Sequence, residues 1–274
     1  MTTIGTETVF ETADALPAEC RQGVRNLVLA CADTKLLLGY HYGEWTFGTP
    51  ELEAAVASCS LAQGEMGHVR LLHGCLQKQF GDDPDALIEQ RDPAAWASLP
   101  FLDHAVPDWP AFVAVNWLVD LGVTRLLHAL RGSAFLPLRM SLEKMLDEER
   151  YHIHHGQGWF RTLARRNDDT TATFVSHART ALASLTEWFG PDDEPEDLAL
   201  VAAGCKSESN RQVLDALIGD VTAAAQPFDL DFAVERPSGW DGWTPGRRRI
   251  GGAGPDEEIL YHLRGSKNAV FKLV

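Results

Sequence analysis

Two Glu-x-x-His motifs carry residue types that can bind a metal ion: Glu65-Met66-Gly67-His68 and Glu149-Arg150-Tyr151-His152. On a helix, positions i and i+3 share a face, so each motif can present one carboxylate and one imidazole to a common point. A single copy is weak evidence, because solvent-facing Glu and His often fall at this spacing. Two copies, each in a long segment with apolar flanks, form the di-metal carboxylate pattern of a four-helix bundle. In that pattern each of the other two helices adds one acid. On the third segment the candidate is Asp120, in Asn116-Trp117-Leu118-Val119-Asp120-Leu121. Apolar residues surround it, and a buried carboxylate needs a partner. A salt-bridged core acid is the plainer alternative.

The spacing predicts where a fourth acid should stand. Asp120 lies 29 residues before Glu149, and the same offset before Glu65 leads to position 35 or 36. Lys35 and Leu36 are found there instead. Asp33, two residues earlier, is about 200° around a helix and faces elsewhere. Glu44, nine residues after Lys35, lies beyond Gly43 and is expected on the turn that follows the helix. Charge counting then suggests a site. Two divalent ions suit four carboxylates, whereas Glu65, Asp120 and Glu149 are balanced by one divalent ion plus the Lys35 ammonium. A neutral Lys35 acting as a nitrogen ligand is a second reading; burial permits it and nearby carboxylates oppose it. Two metals on three carboxylates is a third. A Lys35 that merely reaches solvent at the bundle edge is the plain reading.

The elements that must position these residues are helices. From Pro17 to about Tyr42, apolar residues recur at helical steps through Val24, Leu27, Val28, Cys31 and Leu36 to Leu38. Thr49-Pro50-Glu51 reads as the start of a second helix that runs to about Phe80, with Thr49 as its cap. Residues 82–108 read as a long connection with four prolines. Asp108-Trp109-Pro110 starts a third helix ending near Arg131, with a core face of Phe112, Val115, Trp117, Val119 and Leu126. A fourth runs from about Leu136 to Arg166. Shorter helices are predicted near 170–188, 196–205 and 207–224, then an extended tail from Gln226 with a short helix at about Asp256–Leu263. Strand signals are weak. This is an all-α, ferritin-like four-helix bundle. We read one domain over 1–274, with the core bundle at about 17–166 and the C-terminal helices and tail at 167–274.

Composition narrows the setting. Lys+Arg number 24 against 39 Asp+Glu, a net charge of −15, which argues against nucleic acid and against anionic lipid as partners. Apolar residues make up 45%, enough for a sizeable core. No run of about 18 uncharged apolar residues is present, so no membrane span is expected. Met1-Thr2-Thr3-Ile4-Gly5-Thr6 shows no secretion signal. The five cysteines are widely spaced and form no C-x-x-C pair, so neither a disulfide framework nor a zinc site is expected. The expectation is a cytoplasmic protein.

The segments Gly43-Glu44-Trp45, Ala54 to Arg70, Asp120, and Phe135-Leu136-Pro137 through Asp147-Glu148-Glu149-Arg150-Tyr151-His152-Ile153-His154-His155-Gly156 resemble the phenylacetic acid catabolic family. That family comprises the catalytic and structural subunits of the bacterial phenylacetyl-CoA epoxidase. The resemblance covers about Leu27 to Leu163, while Arg248 to Leu263 looks more like the structural branch. The catalytic branch keeps both motifs and binds two irons; the structural branch has lost most ligands. Glu65, His68, Asp120, Glu149 and His152 match five of the catalytic branch's six ligand positions, and the sixth, a glutamate in the family, is Lys35 here. The resemblance implies dioxygen activation at iron and insertion of one oxygen atom into a small acid or a CoA thioester. It also implies related subunits and a separate reductase, because no dinucleotide or phosphate-cradling motif is present. Mixed carboxylate–imidazole ligation suits iron and also manganese.

Near these ligands, Tyr151, His155 and Thr124 are candidate supporting residues and His154 is expected to face away. Lys35, Tyr151 and His155 are the residues we assign to catalysis. Trp45, Trp117 and Trp159 read as core or interface aromatics. Arg247-Arg248-Arg249 reads as solvated or paired with an acidic partner, with phosphate-carrier binding the sharper alternative. Asp192 to Asp197 reads as a solvated acidic loop. Three functions follow: a metal-dependent oxygenase or oxidase, a non-catalytic scaffold in a multi-subunit oxygenase, and a metal-storage or metal-sensing bundle. Retained ligands favour the first. Lys35 and the tail favour the second.

Overall fold

The computed structural model describes residues 8–234 and 236–271. The start of the chain, on which the reading of no secretion signal rests, lies outside the described residues. Four long helices form the bundle: α1 (Ala18–Trp45), α2 (Leu52–Phe80), α4 (Trp109–Leu130) and α5 (Leu136–Ala164). A short α3 (Pro84–Glu89) lies in the connection between the two halves. α6 (Asp169–Phe189), α7 (Pro195–Ala202) and α8 (Asn210–Ala225) follow, and α9 (Glu257–Leu263) sits in the tail. No β-strand occurs among the described residues. A single parallel bridge joins Phe10 to Phe135, with Phe10 N–H donating to the Ala134 carbonyl at 2.8 Å.

Local chemistry explains most boundaries. The Asp108 carboxylate accepts from Ala111 N–H at 2.8 Å and caps α4. Asp168 and Ser209 form reciprocal capping boxes at the starts of α6 and α8. Gly81, at φ +79°, ends α2 in the left-handed conformation that glycine adopts without strain. The start of α2 differs from the expectation. Thr49 does not cap it, because its hydroxyl donates to the Glu51 carbonyl at 3.1 Å, and the helix begins at Leu52 with Glu51 extended.

α4 is long and apolar enough to cross a membrane by length and composition, but 83% of its apolar window is buried inside the protein. All five residues expected on its core face are buried. Val115–Val119 is π-helical, a turn widened by one residue immediately before Asp120. Gly156 of α5 faces that turn. A Cβ there would sit 2.7 Å from the Asn116 carbonyl oxygen and 2.9 Å from the Trp117 Cα, so only glycine allows the two backbones to meet. Trp117 stacks on Phe160 with centroids 3.8 Å apart. Trp45 and Trp159 pack against Trp109 at 5.9 and 4.8 Å.

The tail and the connection brace each other. The reading of Arg247-Arg248-Arg249 as solvated is corrected for two of the three. Arg249 is buried against Asp103 and donates to the Ser98 carbonyl at 2.7 Å. Arg248 is buried with its guanidinium 4.6 Å over the Trp188 ring and Nε donating to the Trp188 carbonyl. The acidic loop is not simply solvated either. Glu194 caps α7, and Asp197 accepts from the buried Lys206 at 2.6 Å.

Candidate metal centre

The two motifs enter the bundle from α2 and α5, Asp120 from α4 and Lys35 from α1. Glu65, Asp120, Glu149 and His152 are buried, and each offers a ligand atom within 4.8 Å of the others. Lys35 is fully buried too, so it does not reach solvent at the bundle edge. Its ammonium lies 2.9 Å from Glu65 Oε1, 3.1 Å from Asp120 Oδ1 and 2.5 Å from Glu149 Oε1. Asp33, as its offset requires, faces the connection, where Arg91 and Ala97 N–H hold it. Glu44 is exposed near the end of α1.

Both imidazoles face the acids. His152 Nδ1 is 3.1 Å from Glu65 Oε1 and 3.4 Å from Asp120 Oδ2. His68 Nδ1 is 3.1 Å from Glu149 Oε1 and 3.5 Å from Glu65 Oε2, while Nε2 pairs with Glu148 at 2.9 Å. Thr124 donates to Glu149 Oε2 at 2.8 Å. Tyr42 donates to Asp120 Oδ2 at 2.5 Å, and Asn116 Nδ2 reaches both Tyr42 and Asp120. His155 touches no acid of the cluster; its Nδ1 pairs with Asn116 Oδ1 at 2.6 Å, which steadies the amide. Tyr151 is placed elsewhere. Two residues past Glu149 is more than half a turn, so its side chain is 75% exposed on the outer face of α5. His154 is exposed as expected.

The acids set the protonation of the bases. Burial works against charge on Lys35, but Glu149, Glu65 and Asp120 outweigh it and hold the ammonium well above its usual range. Burial likewise disfavours charged imidazole, yet the carboxylates raise His68 to about 9 and His152 to about 10. Asp120 would be raised by burial, but Lys35 and His152 hold it far below the usual carboxylate range. His155, away from the acids, is pushed by burial down to about 4 and is neutral.

The donor set fits a cation. Three carboxylates and an imidazole converge, and Glu65 Oε2 is buried with no hydrogen bond, its neighbour the His68 ring nitrogen at 3.5 Å. A buried carboxylate oxygen in that state costs stability unless an ion or water satisfies it. The sequence profile described as phenylacetic acid catabolic protein matches residues 1–237. The chain belongs to the phenylacetic acid catabolic protein family. Membership carries the ferritin-like bundle with it and places the protein in phenylacetate catabolism. No curated protein matches the sequence significantly. The family match ends at residue 237, before Arg248–Leu263, and so covers only the start of the tail.

Sequence reasoning missed Tyr42, Asn116 and Glu148. Tyr42 lies seven residues after Lys35, two helical turns on the same face, and that spacing was the available signal. Asn116 lies four residues before Asp120, the equivalent signal on α4. Nothing in the spacing singles out Glu148.

Proposed function

We propose that this family member is a metal-dependent oxygenase or oxidase that uses dioxygen on a small acid or acyl thioester. The observation that carries the reading is the convergence of Glu65, Asp120, Glu149 and His152, from three helices, within 4.8 Å. These four residues would hold one divalent ion, iron first and manganese as the alternative, and His68 would complete the motif pair. Lys35 takes the place of a second ion. Bound there, iron would supply the electron chemistry with dioxygen that amino-acid side chains lack. Reducing equivalents come from a separate reductase, and related subunits complete the assembly.

The chain's own residues do the rest. Lys35 offsets one of the three negative charges and keeps the carboxylates ionised. Thr124 and Tyr42 orient Glu149 and Asp120 by donating to their outer oxygens, the role of hydrogen bonds behind a ligand. His155 holds Asn116, which in turn holds Asp120. Metal analysis tests the count: one ion per chain is expected, rising to two in Lys35→Glu. Two ions per wild-type chain would overturn the single-ion reading.

One observation favours a scaffold instead. Lys35 already pairs with all three acids, so the centre is neutralised in part without any metal. Protein that stays folded and metal-free after exposure to excess ferrous ion at neutral pH would establish that second reading.

A further inference from the structure

The inner face of α2 carries Glu65, His68 and Leu72 into the bundle, but its outer face packs against no described residue of the chain. Along that outer face the exposed positions run Leu52, Val56, Cys59, Gln63, Met66 and Arg70, at steps of four, three, four, three and four residues. Alternating steps of three and four form the seam along which two helices pack. Leu52 is 76% exposed, Val56 61% and Met66 40%. Phe47, in the turn before α2, is 98% exposed and borders a groove lined by Cys59, Ala62, Met66 and Arg70. Four of the ten large apolar side chains exposed among the described residues thus share one face. Scattered singly they would be ordinary; gathered in a stripe beside a groove they mark a contact surface.

The stripe is complementary to itself. Its six positions are symmetric about Leu61: Leu52 and Arg70 lie nine residues to either side, Val56 and Met66 five, Cys59 and Gln63 two. A second α2 laid antiparallel across a two-fold axis at Leu61 meets the first position for position, Val56 on Met66 and Cys59 on Gln63. Charge selects the same arrangement. Glu53 stands at the start of the stripe and Arg70 at its end, both exposed and neither in an ion pair among the described residues. Antiparallel pairing brings each Glu53 beside the second copy's Arg70, whereas parallel pairing would set like charge against like. Ala55, Ser60 and Ala62 flank the seam, and side chains this small let two helices come close.

We propose that two copies of this chain pair through the outer faces of their α2 helices, antiparallel, as a two-fold dimer. Val56 and Met66 form the apolar centre of the contact, Phe47 of each copy enters the groove of the other, and Glu53–Arg70 pairs close both ends. The occupant is a second copy because stripe, groove and charges complete one another when the same face is used twice. The contact is independent of the metal and of the oxygenase reading.

Sedimentation velocity of the full-length chain over a dilution series tests this, with a dimer expected that dissociates on dilution. Val56→Glu and Met66→Glu each put a carboxylate into the seam and are expected to raise the dimer Kd at least about tenfold, with circular dichroism unchanged. Leu198→Glu, at an exposed apolar position on α7, is the control and is expected to leave Kd as it was. Glu53→Arg and Arg70→Glu are each expected to weaken the dimer, and the double variant to restore it. Cross-linking needs no substitution. Cys59 is exposed and the other four cysteines are buried. The register sets the two Cys59 residues about 6 Å apart along the helices. A short bis-maleimide is therefore expected to join wild-type chains and to fail with Cys59→Ser. A chain that stays monomeric, a dimer unmoved by both Val56→Glu and Met66→Glu, a double charge variant no better than the single ones, or a wild-type dimer that the bis-maleimide does not join would overturn the proposal.

Discussion

Lys35 puts a permanent positive charge at the point where three buried acids meet. Removing one partner of such a group leaves charge uncompensated. Lys35→Met should therefore destabilise the metal-free chain by about 3–5 kcal/mol in denaturant titrations, with added divalent metal recovering part of the loss. The imidazoles give a second prediction. Both have folded values raised above the ordinary 6.5, to about 9 for His68 and about 10 for His152. A raised base stabilises in full below its unfolded value and loses that contribution as pH climbs through the folded one. Metal-free protein in chelator should thus lose on the order of a few kcal/mol between pH 7 and pH 10, seen as a falling Tm. Metal-loaded protein should not, because ligated imidazole is neutral, and loading at pH 7 should release protons measurable in weak buffer. At this scale the five motif and offset residues and the Lys35 anomaly were legible in spacing alone. Tyr42 and Asn116 were not, because a tyrosine or asparagine inside an apolar stripe reads the same whether it supports a ligand or fills the core. Tyr151 was misplaced because nearness in sequence was not corrected for rotation about the helix.

Among the elements, the junction of α4 and α5 decides where Asp120 points. The π turn at Val115–Val119 and the side-chain-free contact at Gly156 fit together. Gly156→Ala should cost about 1–3 kcal/mol of stability and lower metal content together, since the Asn116 carbonyl must move. Gly67→Ala is the control: an added methyl there meets nothing, so it should be neutral or stabilise by up to about 1 kcal/mol. A Gly156→Ala protein as stable and as metal-competent as wild type would show that the contact does not set the register. The long helices, their order and the start of α4 at Asp108-Trp109-Pro110 were readable from periodicity and turn chemistry. The widened turn was not, because one inserted residue barely disturbs an apolar pattern in a helix that is buried nearly all round. Thr49 failed as a cap for a related reason: its hydroxyl had a local carbonyl to satisfy.

For the molecule as a whole, the tail works as a brace. Arg249 and Asp103 pair in the interior across 146 residues of chain, and Asp256 N–H donates to the Asp103 carbonyl at 2.8 Å. Arg249→Ala should cost about 3–5 kcal/mol and speed proteolysis of the connection at 81–108, read by gel after limited trypsin treatment. Composition revealed the globular class, and periodicity the bundle. Neither showed the brace, because an arginine run reads the same whether it faces water or an interior aspartate. The lysine among the acids has a last implication, for how such a protein is made. The ribosome supplies one positive charge to the middle of the molecule covalently and in register, so folding need not wait for an inorganic ion. On the metal-dependent reading proposed above, a cell short of the ion would still accumulate a finished, empty receptacle, and later supply would convert it by exchanging protons rather than by rebuilding the chain.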